Sequence, residues 1–411
     1  MSGITVRLAW RNLWRHRRRT WLTISAIAFA AMLLVFLIAI QLGAYDMIID
    51  NAVRVYTGQM QIQRPEYLDR PQMRTSIPAA RELAGRLRRE TGLPGIAVRA
   101  NGFALATGED RSYGVPVVGV EPEHEPRVST LPRLIRQGRY FSAVDAPEAV
   151  LGATLARNLR LGVGDELTLL GAGRDGSVAA AVVPVVGIFE SGNPELDRHV
   201  VQLPLATFQD VFSMGDDAHA IVVSGPDLER YASTLALVRA ALPPGGDLVV
   251  RDWEALIPGL KQLVQADMLQ NWFLYISLIV IVTFSILNTF LMSVLERTRE
   301  FGIMLALGST PLRIGALVVF ESAVLTVIGL ALGVVAGGAV ALYFYFEGFT
   351  FPGMKEIHQQ FGLPGVITPE LSPVTLLLGP AVILAFTLAA ALYPALRIRR
   401  LEPVEAMHAV Q

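Results

Sequence analysis

Four long apolar runs, with one large polar stretch between the first and the second, constrain this chain more than any other feature. Leu22 to Leu42 is 21 residues without an ionisable side chain. Phe273–Leu295, Ile314–Phe346 (interrupted only by Glu321) and Val374–Leu396 follow it. At about 1.5 Å per helical residue, each run reaches across a hydrocarbon layer roughly 30 Å thick. Inside such a layer a segment must satisfy its own backbone hydrogen bonds, so the runs predict four membrane helices. Roughly 225 residues of ordinary globular composition separate the first two runs. The expected fold class is therefore a membrane protein: four transmembrane α-helices, with a large α+β extracytoplasmic domain inserted between helices 1 and 2.

Composition narrows the chemistry. At 52% hydrophobic residues and a mean hydropathy of +0.45, the chain is too apolar for a soluble enzyme and too polar for a bare helix bundle. A formal net charge of -1 supplies no overall field for nucleic acid. The absence of cysteine excludes disulfides, thiol catalysis, iron–sulfur clusters and cysteine-ligated zinc. The first apolar run exceeds the roughly 7 to 15 residues of a signal peptide and reads as a retained anchor.

The flanking charges set a direction. Arg7, Arg11, Arg15, Arg17, Arg18 and Arg19 precede the first run; Arg297, Arg299 and Arg313 lie between the second and third; Arg397, Arg399 and Arg400 follow the fourth. Short arginine-rich flanks favour the cytoplasm, so both termini and the loop between runs two and three are expected inside. The expected boundaries are a cytosolic amphipathic segment 1–20, spans at 21–43, 271–295, 313–346 and 374–396, an outer domain with stalk helices at 44–270, a cytosolic helix 296–312, an outer loop 347–373 and a cytosolic tail 397–411.

Helical spacing continues beyond the first run at Tyr45, Ile48, Ile49 and Val53, and Leu260–Met268 leads into the second, so both spans are expected to extend outward as stalks. Within the outer domain, strands are expected at Gln59–Gln63, Ala97–Thr107, Ser112–Val120, Glu166–Leu170, Val178–Phe189, Ala218–Val223 and Leu248–Val250. Short helices are expected at Thr154–Leu161 and Leu228–Leu242, and the domain is long enough for two subdomains. Gly171 to Gly176 matches GxGxxG, but the β-like, proline-containing Ser177–Val186 follows where a dinucleotide site needs a helix, which leaves a hairpin turn. His124 among Glu121, Glu123 and Glu125 lacks the spacing of a metal site and reads as a solvated acidic loop. Lys261 and Lys355 are the only lysines and neither follows a glycine, so no phosphate loop of the GxxxxGK[ST] type is present; nor is a GxSxG elbow.

Three features in the apolar runs bear on assembly. Gly329, Gly333 and Gly337 recur every four residues and predict close approach of a neighbouring helix or of a second copy. Glu321 reads as an interfacial group or a member of a local charge pair near Arg313, or else as a transport residue. Ser285 and Asn288 are expected to hydrogen-bond between helices. Finally, Glu296–Gly308 reads as an amphipathic helix at the inner face, with Met304, Leu305 and Leu307 toward apolar surface and Glu296, Arg297, Arg299 and Glu300 toward water. It is either a plain interfacial helix or a docking element for a cytosolic partner.

The residues from Glu296 to Ser309, ERTREFGIMLALGS, resemble the signature of the FtsX-like permease domain in the MacB and Lol families of ABC transporters. Ala9–Thr20 resembles their amphipathic start, and Tyr393–His408 their terminal box, through Pro394, Ala395, Pro403, Glu405 and Ala406. Gly119–Pro122, Gly138–Phe141 and Leu161–Asp165 resemble the MacB-type periplasmic core. Gln41–Asp50 departs from the Lol permeases, and the missing phosphate loop departs from MacB, whose ATPase is fused. The resemblance implies a permease in the bacterial inner membrane, with its large domain in the periplasm and closest to the Lol-type lipoprotein-releasing branch. It implies no enzyme activity or cofactor in this chain, with ATP and Mg held by a cytosolic ABC ATPase subunit. Glu296, Arg297, Arg299, Glu300, Phe301, Gly302, Met304, Leu305 and Gly308 would form the ATPase-coupling element. Further implied partners are a second permease copy or paralogue forming a dimer, membrane lipid, and a periplasmic carrier or adaptor protein. A MacB-like efflux permease for drugs or peptides and an FtsX-like signalling protein controlling a cell-wall hydrolase are the alternatives.

Overall fold

A computed structural model describes Arg11, Trp14, Arg15, 17–225, 230–243, 245–350, Gly353 and 366–397. Lys355 and most of the terminal box at Tyr393–His408 fall outside the described residues, as does much of Ala9–Thr20. The chain forms two compact units. One is helical and drawn from residues up to Tyr45, Val264–Thr350 and Val366 onward; the other comprises Asp46–Leu263.

In chain order the elements are α1 (Arg17–Ala52), β1 (Met60–Gln63), α2 (Ala80–Thr91), β2 (Ile96–Thr107), β3 (Ser112–Val120), α3 (Glu125–Val128), β4 (Ile135–Gly138), β5 (Ala149–Gly152), α4 (Ala153–Leu159), β6 (Glu166–Ala172) and β7 (Val178–Phe189). Then come α5 (Pro194–His199), β8 (Val201–Pro204), α6 (Leu205–Val211), β9 (Ala220–Val223), α7 (Tyr231–Ala241), β10 (Val249–Asp252), α8 (Trp253–Leu256), α9 (Pro258–Glu296), α10 (Thr298–Ala306), α11 (Pro311–Glu347) and α12 (Pro373–Arg397).

Among the described residues, four helices are long and apolar enough to cross a membrane. Their ends follow local chemistry. Thr310 is extended and Pro311 opens α11, where a missing N–H costs nothing; Gly348 at φ 76° closes it. The glycine row of α11 faces α1. A Cβ built on Gly329 falls 2.7 Å from Ile27 Cβ, one on Gly333 falls 2.5 Å from Ala31 Cβ, and one on Gly337 falls 2.9 Å from the Met32 carbonyl. The row thus brings two helices of the same chain together, with Ile27, Ala31 and Leu34 in the shared core. Ser285 and Asn288 are exposed on α9, and among the described residues no interhelical hydrogen bond forms from either, contrary to the expectation from sequence. Thr289 donates within the helix, to the Ser285 carbonyl, which is the cheaper partner along one turn.

The second unit is built on one ten-stranded sheet. Neighbours run β10-β1-β9-β2-β3-β8-β5-β7-β4, and β6 bridges β2 and β7. That bridge closes β2, β3, β8, β5, β7 and β6 into a ring. Pairing is antiparallel except between β3 and β8 and between β5 and β7. A single sheet over one main core, including Val115, Val117, Leu151, Leu167, Leu169, Val183 and Leu203, with two smaller apolar clusters beside it, stands where the length allowed two subdomains. The two expected hairpins are present in register, Thr107 opposite Ser112 and Ala172 opposite Val178. Gly173–Ser177 is the turn of the second, with Gly176 at φ 88°, so the GxGxxG match is a hairpin. β1 is not half-exposed as its alternation implied: β10 and β9 flank it, and Gln63 is buried, donating to the Gln61 side chain.

Candidate functional site

The most connected polar cluster in the helical unit lies at the arginine-rich end of α1. Glu296 ends α9, and Arg297 caps α10, a nine-residue helix. α10 stops at Leu307–Gly308, where Gly308 takes φ 90° and its N–H donates to the Leu305 carbonyl at 3.0 Å. That left-handed residue turns the chain back into α11. One face of α10 is apolar: Phe301 is fully buried with Val294, Ile314 and Val318, and Met304 and Leu305 pack against this group. Gly302 is buried beside it. Leu307, expected on the same face, is instead 81% exposed, because the helix has already ended.

Arg297 is the hub. Its Nη1 donates to Glu321 Oε2 at 2.8 Å and its Nε to Glu300 Oε2 at 3.1 Å. Its guanidinium lies 5.2 Å from the centre of the Phe301 ring. Sequence reading turned Arg297 toward water; in the structure its side chain is 12% exposed, since the Glu321 carboxylate within α11 needs a counter-charge. The charge partner of Glu321 is thus Arg297 rather than Arg313. Two further arginines complete the cluster. Arg15 donates to Glu300, and Arg19 to Glu296 and, at 2.9 Å, to Ser293 Oγ. Arg299 is exposed. Burial alone would raise the Glu300 pKa; the hydrogen bonds from Arg297 and Arg15 outweigh it and hold the carboxyl below its ordinary value. Three arginines and three glutamates therefore join the start of α1 to α9, α10 and α11. Sequence reading missed Arg15 and Arg19 as members. Their signal was a matched spacing: Arg15 and Arg19 are four apart, as are Glu296 and Glu300.

A second polar cluster ties α1 to α9 nearer the other end. Tyr45 donates to Asp267 Oδ2 at 2.6 Å, Asn271 to the same oxygen at 2.9 Å, and Tyr275 to Gln41.

In the sheet unit, the cluster around His124 departs from expectation. Glu121 and Glu125 are buried rather than solvated. Glu121 accepts the Val98 N–H at 2.9 Å. Glu125 takes a two-pronged bond from the buried Arg99, through Nη2 and Nε. Arg99 Nη1 donates onward to the Tyr56 carbonyl at 2.5 Å, with the guanidinium 4.6 Å from the Tyr56 ring centre. Tyr56 belongs to a π turn, Val53–Thr57, which follows α1 and is closed by Gly58 at φ 76°. Ser129 Oγ and the Thr130 N–H bond the Val55 and Arg54 carbonyls, each at 2.8 Å. Carbonyls freed where a helix loosens need such partners, and π turns gather at functional positions. Burial alone would lower the Arg99 pKa; Glu125 and Tyr56 outweigh it and hold the guanidinium above its ordinary value. Among the described residues no group of three or more metal-ligating side chains occurs.

Long apolar helices joined by a charged network, with a separate closed sheet, define a membrane protein of the permease type. The MacB-like periplasmic core domain family matches residues 20–241, and the FtsX-like permease C-terminal family matches residues 272–403. The chain belongs to this family of FtsX-like permeases with a MacB-like periplasmic core domain. It is 25% identical over 336 residues to the lipoprotein-releasing system transmembrane protein LolE of Haemophilus influenzae, covering 79% of this chain and 80% of that protein. It is 26% identical over 434 aligned positions to the macrolide export ATP-binding/permease protein MacB of Rhodospirillum rubrum, covering 99% of this chain and 60% of that one. The periplasmic region of MacB from Actinobacillus actinomycetemcomitans aligns at a TM-score of 0.36 and 14% identity, over 50% of this chain and 94% of that structure.

Proposed function

We propose that this chain is the permease subunit of an ABC transporter driven by a separate cytosolic ATPase, and that it extracts or exports a lipidated or amphipathic substrate on the outer side of the membrane. The observation that carries this reading is the Arg297 hub, which makes the short helix α10 a lever fixed to three long helices. ATPase coupling is assigned to Glu296, Arg297, Arg299, Glu300, Phe301, Gly302, Met304, Leu305 and Gly308, with the exposed Glu296 and Arg299 at the contact and the mostly buried Arg297 and the buried Phe301 passing it to the long helices. ATP and Mg belong to the partner. The work leaves through α1 and α9, and the arginine-rich flanks support a periplasmic location for the sheet unit. Release of lipoproteins is favoured because the chain covers 80% of LolE and 77% of a LolC from Xylella fastidiosa. Efflux is the second reading, supported by alignment of 99% of this chain with a MacB. A second permease copy or paralogue completes the assembly, and a periplasmic carrier or adaptor receives the substrate.

The test is co-purification with the candidate ATPase, followed by ATPase assays with lipoprotein, peptide and drug substrates. Glu300→Arg and Leu305→Asp are expected to detach or uncouple the ATPase while membrane insertion persists. Normal ATPase binding and transport in both variants would refute the docking role. Because the chain has no cysteine, single cysteines at Arg299 and Val178 read the topology directly. A membrane-impermeant thiol reagent applied from outside should label only the second.

A further inference from the structure

We propose that Arg17 and Arg18 form a headgroup site for an anionic phospholipid at the charged end of α1. Four arginines fall within five residues there: Arg15, Arg17, Arg18 and Arg19. Two are committed to carboxylates, Arg15 to Glu300 and Arg19 to Glu296. The third carboxylate of the cluster, Glu321, is matched by Arg297. Among the described residues no further acid lines this end of α1, so the surplus charge there is positive. Arg17 and Arg18 are exposed, and among the described residues neither forms an ion pair.

The surroundings select the ligand. Arg17 and Arg18 line an open groove of about 670 Å³ whose wall also includes Leu22, Arg297 and the two ion pairs Arg15–Glu300 and Arg19–Glu296. Trp21 and Leu22, 52% and 65% exposed, follow directly and begin the apolar surface of the span. Trp14 lies edge-on to Trp21, with ring centres 6.0 Å apart. An occupant must therefore present an anion to two guanidiniums and hydrocarbon to Leu22, with tryptophan at the boundary between them. A phospholipid with a net negative headgroup does this: arginine forks suit phosphate oxygens, and tryptophan favours the headgroup level. An acidic protein segment or free phosphate would engage the arginines but has no hydrocarbon to set against Trp21 and Leu22. The inference rests on reading α1 as a membrane span and does not require the ATPase, so the two readings fail separately.

The test uses the purified full-length chain in neutral detergent, titrated with phosphatidylglycerol or phosphatidylcholine and followed by native mass spectrometry. Phosphatidylglycerol is expected to bind more tightly, and rising salt to weaken it selectively. At about 1 kcal/mol per arginine near an anionic surface, the double variant Arg17→Ala/Arg18→Ala should lose roughly 30-fold in phosphatidylglycerol affinity. Arg17→Lys/Arg18→Lys should keep most of it, and millimolar inorganic phosphate should not displace the lipid. Equal binding of the two lipids by the wild-type chain, an unchanged alanine pair, or displacement by phosphate would each overturn the site. Loss of ATPase association with unchanged lipid binding in the alanine pair would assign the surface to a protein and overturn it equally.

Discussion

Replacing Arg99 with methionine tests whether the end of α1 is held by charge. Arg99 and Glu125 are both buried, their side chains 3% and 0% exposed, so deleting the guanidinium strands a carboxylate and frees the Tyr56 carbonyl. Removing one member of a buried pair typically costs about 3–5 kcal/mol. In a unit of this size each kcal/mol lowers the melting temperature by roughly 2–4 °C, so Arg99→Met should melt on the order of 10 °C below wild type. The double variant Arg99→Met/Glu125→Leu removes the stranded charge and should recover most of the loss, giving a coupling energy of about 2 kcal/mol or more in a double-mutant cycle. The assay is thermal unfolding of the detergent-solubilised full chain, with hydrogen exchange read at Val53–Gly58. Exchange there should quicken in the single variant, because the carbonyl of Tyr56 and its neighbours lose their anchor. The reasoning fails if Arg99→Met melts within a degree or two of wild type, or if the double variant loses the sum of the two single losses.

Three further outcomes follow from the geometry. Gly333→Ala places a Cβ 2.5 Å from Ala31 Cβ and should destabilise the helical unit by about 1–3 kcal/mol, whereas Gly338→Ala, 3.4 Å from Leu376 Cδ2, should be nearly silent; equal melting of the two would remove the packing role of the glycine row. Arg297→Lys should still cost about 2 kcal/mol, because an ammonium cannot reproduce the fork that serves Glu300 and Glu321 together; a lysine variant as stable as wild type would show that charge alone suffices. His219, fully buried, has its pKa pushed down to about 4, chiefly by burial, and its Nδ1 accepts the Asn101 N–H at 2.9 Å. The unfolded chain takes up this proton near pH 6.5 and the folded one only near 4, so stability should fall by up to about 3 kcal/mol as pH drops through that window. His219→Gln should flatten the decline, and an unaltered pH profile in that variant would place its origin elsewhere.

The long elements were legible because their signals are local. Apolar length gave the four helices, and apolar runs on either side of glycine-bearing turns gave the β2–β3 and β6–β7 hairpins to within two residues. What sequence missed depends on distant partners. Four-residue strands such as β5 and β8 are buried on both faces and carry no alternation, so nothing local marks them. Glu125 looked solvated because its proline neighbours read as a loop, and Arg99 lies 26 positions away. The helix 298–306 was visible as an amphipathic stretch with its glycine stop, whereas its connection to Arg15, 285 positions earlier, was not. The glycine row showed that two helices meet there, and only the structure showed that both belong to one chain.

That last contact has a consequence for how such a chain meets others. Glycine faces tolerate little: shifted by one residue, backbone strikes side chain. Here the unforgiving seam is kept inside the polypeptide. The apolar surface left open carries large side chains, among them Phe273, Ile281 and Phe284 of α9, which are 77%, 66% and 66% exposed. Large, rotatable side chains can be re-seated in more than one alignment, so this surface fixes the register of a neighbour far less strictly than the glycine row fixes that of α1.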